Sequence, residues 1–131
     1  MKTATLSLHI PTQTASAVDE WYIAIPWLGK WLLEYVAFSP ATAVATDATD
    51  FLTSTITAND GAAGADSATV ATHKTELSGG VALVLKTTVA PTVTQPATVF
   101  QRGHQIKVAK TVGGAGKILD GTYTFGLRKV G

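Results

Sequence analysis

Apolar and polar residues alternate from the start of the chain. Ala4, Leu6, Leu8 and Ile10 share one parity, and Thr5, Ser7 and His9 share the other. A period of two that stops at Pro11 predicts a half-buried strand. His9 falls on its polar side, where a solvated strand residue is expected rather than a ligand. After a polar loop over 12–18, Glu20 to Ile25 predicts a second strand closed by Pro26. Trp31 to Phe38 gives a third. Lys30 and Glu34 have the i,i+4 spacing of a helical ion pair, but the segment is short, aromatic and bounded by Gly29 and Pro40, which favours a strand. Pro26-Trp27-Leu28-Gly29 then reads as a hairpin turn, with Trp27 exposed unless something covers it.

Residues 39–50 have no apolar period and read as a loop. Phe51 to Ala58 is a threonine-rich strand, ended by the turn chemistry of Asn59-Asp60-Gly61. Between Ala62 and Gly80 the pattern is weak, and Ser67 to Thr75 fits either a strand or one or two helical turns. Val81 to Thr88 is aliphatic on both parities, which predicts a strand at the centre of a sheet. Pro91 and Pro96 bracket an extended connector. A short strand over Ala97–Gln101, a break at Arg102-Gly103-His104 and a strand over Gln105–Lys110 follow, the last with Ile106 and Val108 on one side and Lys107 on the other. Val112 to Gly116 is a flexible link. Thr122 to Lys129 closes the chain as a strand with Tyr123, Phe125 and Leu127 inward. Seven or eight short strands, no secure helix, no internal repeat and no dividing linker predict one all-β domain over 1–131, an antiparallel β-sandwich of jelly-roll-like type.

Composition narrows the chemistry. A chain of 131 residues can bury a core without staples. It contains no cysteine, so disulfides and thiolate metal sites are excluded. Only 15% of residues are charged, against a typical surface charge of roughly 25–35%. Either partners cover part of the outer surface, or a threonine-rich β surface is polar without charge. The charge is also unevenly placed. Residues 1–66 hold seven acids and two bases, a net −5, whereas 67–131 hold eight bases and two acids, a net +6. The bases are singly spaced with no interleaved aromatics, which argues against nucleic acid and for two halves that interleave and attract within one sandwich. No continuous apolar run joins Lys2 to Ala15-Ser16-Ala17, so no signal peptide is expected. Pro26, Lys30 and Glu34 interrupt the apolar stretch 21–38, so no membrane span is expected either.

No catalytic or metal-binding spacing emerges. His9, His73 and His104 lie far apart, no Gly-x-Ser-x-Gly elbow accompanies them, and no H-x-x-x-H or H-E-x-x-H spacing occurs. Asn59 to Asp66 offers oxygens and glycines but lacks the order and distal glutamate of a calcium loop, so it reads as a turn. Gly113-Gly114-Ala115-Gly116-Lys117 lacks the upstream glycine and following hydroxyl of a phosphate loop and reads as a hairpin loop. The expectation is therefore no enzyme, no cofactor, no metal and no small-molecule substrate. Trp21, Trp27 and Trp31, with Tyr22 and Tyr35, crowd into fifteen residues. Most should be core, and any exposed ring would anchor a protein or stack on a sugar.

Two stretches resemble a known family. Thr5 to Ile10 followed by Trp21-Tyr22-Ile23-Ala24-Ile25-Pro26-Trp27-Leu28-Gly29-Lys30 is similar to the paired strands of small head proteins of tailed bacteriophages. Phe100-Gln101-Arg102-Gly103-His104-Gln105-Ile106-Lys107-Val108 resembles their turn into a late strand, with His104 where that pattern has Asp. The resemblance implies a capsid decoration (cement) protein. Such a protein is a small β-sandwich, often a trimer, seated on the virion exterior, where it binds the major capsid protein and bridges capsomers. It would be made in the host cytoplasm. Within these motifs, Trp27, Lys30, Arg102 and His104 are the candidate partner contacts, and Met1–Thr3 is expected to form a short arm. The alternatives are a carbohydrate-binding module using Trp21, Trp27 and Trp31, and a tail or neck subunit.

Overall fold

A computed structural model describes residues 2–59, 66–94 and 98–131. Eight strands run in the order β1 (Thr3–Ile10), β2 (Asp19–Ala24), β3 (Trp31–Pro40), β4 (Phe51–Asn59), β5 (Asp66–Lys74), β6 (Val99–Phe100), β7 (Gln105–Gly113) and β8 (Gly121–Lys129). They form two antiparallel four-stranded sheets, β1-β8-β3-β6 and β2-β7-β4-β5. Among the described residues there is no helix. The predicted antiparallel β-sandwich is the observed fold, and the undecided stretch Ser67–Thr75 is strand as far as Lys74, within β5.

Alternation explains the core. Tyr123, Phe125 and Leu127 of β8 are buried, as their parity requires, and so are Leu52 and Ile56 of β4 and Ile106 and Val108 of β7. These side chains join Trp31, Leu33, Val36 and Phe38 of β3 in one cluster filled from both sheets. Two glycines let aromatic rings lie flat on the strands. A Cβ on Gly126 would meet the Tyr35 ring, and one on Gly113 would meet the Phe51 ring. Each pair sits opposite in register.

The pairing is nested, β1 with β8, β2 with β7, β3 with β6 and β4 with β5. In both sheets strands from the acidic half of the chain therefore alternate with strands from the basic half. Asp19 lies opposite Lys110 in register, and Arg128 bonds Glu34 at 2.7 Å. The halves interleave as the charge split suggested, and Glu34 has found Arg128 rather than Lys30.

Several expectations are corrected. Pro26–Gly29 is no hairpin turn, because β2 and β3 belong to different sheets and the chain crosses between them there. The hairpin loop expected at Gly113–Lys117 is likewise corrected: Gly113 ends β7, and Gly114 to Lys117 belong to the crossing from β7 to β8. Val81–Thr88 is not a central strand. It walls the open side of the sandwich and touches it through isolated bridges, Leu83 to Val44 with Val89 to Phe38 just beyond. Only Leu83 of 81–88 is buried, and a turn breaks the run at Lys86, whose φ is +63°. The two described residues of the expected arm, Lys2 and Thr3, are held to the sheet. Thr3 already pairs with Arg128, and the Lys2 carbonyl accepts the Lys129 N–H at 2.8 Å. Met1, residues 60–65 with Asp60 and Gly61 of the expected turn, and residues 95–97 with Pro96 and Ala97 lie outside the described residues.

Candidate functional site

The candidate contacts gather at one end of the sandwich. The Ile25 N–H donates to the His104 carbonyl at 2.8 Å and the Gly103 N–H to the Ile25 carbonyl at 3.1 Å, which ties the β2–β3 crossing to the 101–104 turn. Lys30 N–H donates to the Gly131 carbonyl, and Val130 N–H to the Lys30 carbonyl, both at 2.8 Å. Lys30 and Arg102 are exposed and His104 is half-buried, its Nδ1 accepting the Gln101 N–H at 3.2 Å. Trp27 is not free. It is half-buried against Trp31, with ring centroids 5.0 Å apart and planes at 42°. The side chain that does project here is Leu28, 69% exposed, whose carbonyl accepts Trp31 Nε1–H at 3.0 Å. Sequence reading passed over Leu28 because a turn leucine carries no chemical signal.

The tryptophan cluster divides in the same way. Trp31 is 1% exposed, and Trp21 and Trp27 pack half-buried against the core. A sugar platform needs ring faces open to solvent, and Trp31 has none to offer.

A polar network crosses the core where no motif announced one. Tyr123 OH of β8 lies 2.6 Å from Ser54 Oγ of β4 and 2.5 Å from His73 Nε2 of β5. Burial pushes the tyrosine hydroxyl well above its ordinary pKa and lowers His73 from 6.5 to about 4. His73 is therefore neutral at physiological pH. Ser54 and Tyr123 are fully enclosed, so a substrate has no path to either hydroxyl. The network ties the two sheets together. Parity gave the available signal: Ser54 shares a face with Leu52 and Ile56, and an inward Tyr123 must find a partner for its hydroxyl.

Lys110 is the second such group. It shares a face with Ile106 and Val108, and it is completely buried. Its Nζ donates to Gln13 Oε1 at 3.3 Å and to the Thr14 and Ala15 carbonyls, both at 3.1 Å. Burial lowers its pKa, opposed by the nearby Asp19 carboxylate. These bonds pin the 11–18 loop. Gln13 adds bonds to both backbone groups of Leu119 at 2.7 Å.

Among the described residues no group of three or more His, Asp or Glu side chains could hold a metal ion. The Asp47 carboxylate serves a turn, accepting the Asp50 and Thr49 N–H groups, which hold its pKa below the ordinary value. The glycine loop is bound to its own fold, Ala115 N–H donating to Asp50 Oδ1 at 2.8 Å.

The surface that stands out lies along the wall. Leu77, Val81, Val84 and Leu85 are 49–60% exposed within nine residues. Beside them an open groove of about 560 Å³ runs between β5 and the wall, its aliphatic lining from Val81, Ala82, Val84, Val89 and Ala90 interspersed with threonines. No family model matches the sequence, and no curated protein matches it.

Proposed function

We propose that this protein is a non-enzymatic structural protein of a viral particle. In this reading it is a decoration protein that binds the major capsid protein on the outside of a tailed-phage capsid, as a homotrimer, and reinforces contacts between capsomers. The observation that carries the reading is the outward aliphatic run Leu77, Val81, Val84 and Leu85. Single exposed aliphatics are ordinary on a soluble monomer, whereas a cluster marks an interaction surface. The nested strand pairing supports it as well. We read it as jelly-roll-like winding, of the kind that recurs in viral capsid and lectin domains. The low overall charge has the same sense, since a surface covered by a partner needs little charge for solubility.

The carbohydrate-binding alternative loses Trp31 of its three rings, which is buried, and keeps the half-buried Trp21 and Trp27. Placement in a tail or neck would use the same surface and differs only in the partner. The test is co-sedimentation with undecorated tailed-phage capsids, run beside a glycan array. Wild-type protein is expected to pellet with capsids and to persist at molar salt, because apolar contacts are not screened. Val84→Asp is expected to stay in the supernatant. Failure to bind capsids together with a glycan signal would replace this reading with the alternative.

A further inference from the structure

The groove beside the wall has a backbone edge as its floor. β5 is the outermost strand of its sheet. Thr75 N–H donates inward to the Leu52 carbonyl at 3.0 Å, so in the antiparallel ladder His73 also faces β4 while Thr72 and Lys74 turn their backbone groups outward. Two outward groups are occupied. The Lys74 carbonyl accepts Val81 N–H at 2.9 Å and the Val70 carbonyl accepts Thr94 N–H at 2.8 Å. Between these ties the wall swings away from the edge, and the N–H and C=O of Thr72 meet no partner among the described residues. From Val70 to Lys74 the strand spans about 13 Å, room for a few residues of extended chain. Thr72 and Lys74 line the groove on one side, and Val81, Val84 and Val89 line it on the other.

Lys86 stands on the rim between the lining residues Val84 and Thr87. Thr87 N–H donates to the Val84 carbonyl at 3.1 Å, which makes Lys86 the third residue of a turn. Its φ of +63° there is one that glycine or asparagine would adopt more readily. It is the one charge on the wall between Leu77 and Thr94. A lysine at a φ that suits glycine better directs attention to its side chain, since strained residues cluster at ligand sites.

We propose that this edge is a strand-acceptor site. It takes an extended segment of a partner polypeptide, hydrogen-bonded to the backbone of Thr72, aliphatic toward the wall and bearing a carboxylate near Lys86. Unpaired edge backbone beside apolar side-chain pockets is the arrangement by which a sheet gains a strand from another chain. The inference goes beyond the capsid reading and does not depend on it, because the geometry is the same whichever particle supplies the segment.

The probe is a panel of synthetic heptapeptides that alternate valine or isoleucine with threonine around one central aspartate. Titration into the ¹⁵N-labelled full chain is followed by NMR and by hydrogen exchange. Saturable shifts at the Thr72 amide, with slower exchange there, are expected. Two versions N-methylated at alternate amides present opposite edges without donors, and one of them should lose binding. Replacing the aspartate by lysine should weaken binding about two- to fivefold, the range of an exposed ion pair. Lys86→Gly should weaken the parent peptide equally while its thermal midpoint stays level or rises. Thr72→Pro should remove binding, since a strand edge tolerates proline where the N–H faces outward. If that variant does not fold, the methylated pair still decides. No binding across the panel, equal binding by both methylated peptides, or an unaltered Thr72 amide would overturn the proposal. Concentration-dependent Thr72 shifts without peptide would also overturn it, by making the occupant a second copy of this chain.

Discussion

β8 and the stretch from Val81 to Val89 are both nine residues long and rich in large apolar side chains, yet they end in opposite environments. In β8 the apolar residues sit at every second position, and Tyr123, Phe125 and Leu127 all reach the core. From Val81 to Leu85 they run consecutively, and of these only Leu83 is fully buried, while Val81, Val84 and Leu85 stand about half in water. Apolar content measures how much burial a segment would gain. Alternation decides whether a strand can collect it, because successive side chains point to opposite faces. β8 also has two partners, β1 and β3, whereas the wall is held to its neighbours by isolated bridges.

The largest expected effect lies in β8. Phe125 is fully buried and stacks on Tyr123 at 5.9 Å, so Phe125→Ala should cost about 3–5 kcal/mol in urea denaturation. A loss below 1 kcal/mol would mean that the core depends on β8 far less than its burial implies.

Acid should act on the tie that β8 makes to the opposite sheet. His73 has a pKa of about 4 in the fold and 6.5 when free, so between those values the unfolded chain binds the extra proton. Stability is then complete above pH 6.5 and falls as pH drops toward 4, by about 3 kcal/mol in all. Denaturation midpoints across that window check this, and His73→Gln should flatten the slope.

Leu83 tests whether burial or membership of the wall governs. It is 1% exposed, so Leu83→Ala should cost about 2–3 kcal/mol, close to a β8 residue in kind. Val84, one position on and 51% exposed, should give the smallest effect. Val84→Ser should change stability by about 0.5 kcal/mol or less and alter association instead. Equal losses at both positions would mean that burial does not set the cost of a substitution in the wall.

Much of the fold was legible where parity was clean. The inward faces of β1, β7 and β8 follow from Leu6, Ile106 and Phe125 and their neighbours two residues away. The wall is not legible, because a continuous aliphatic run has the same appearance whether it lies inside a sheet or half-exposed along its side. The candidate contacts were legible only as turns: Arg102 and His104 do flank an exposed turn, but a tilted Trp31 covers Trp27. Ser54, His73 and Tyr123 lie far apart in the chain, and nothing local joins them.

The sequence alone determined the all-β class, most of the strands and which side chains face inward, and by lacking cysteine it removed thiol chemistry. These depend on each residue's preference for water and on the two-residue repeat of an extended chain, both of which are local. Tertiary structure decided which sheet each strand joined, that the chain crosses between sheets at Pro26–Gly29, and that Lys110 is buried against three acceptors. It also left the edge of β5 open at Thr72. Those outcomes depend on pairings between residues many tens of positions apart, such as Leu6 with Phe125, and the energy of such a pairing exists only once both strands are in place.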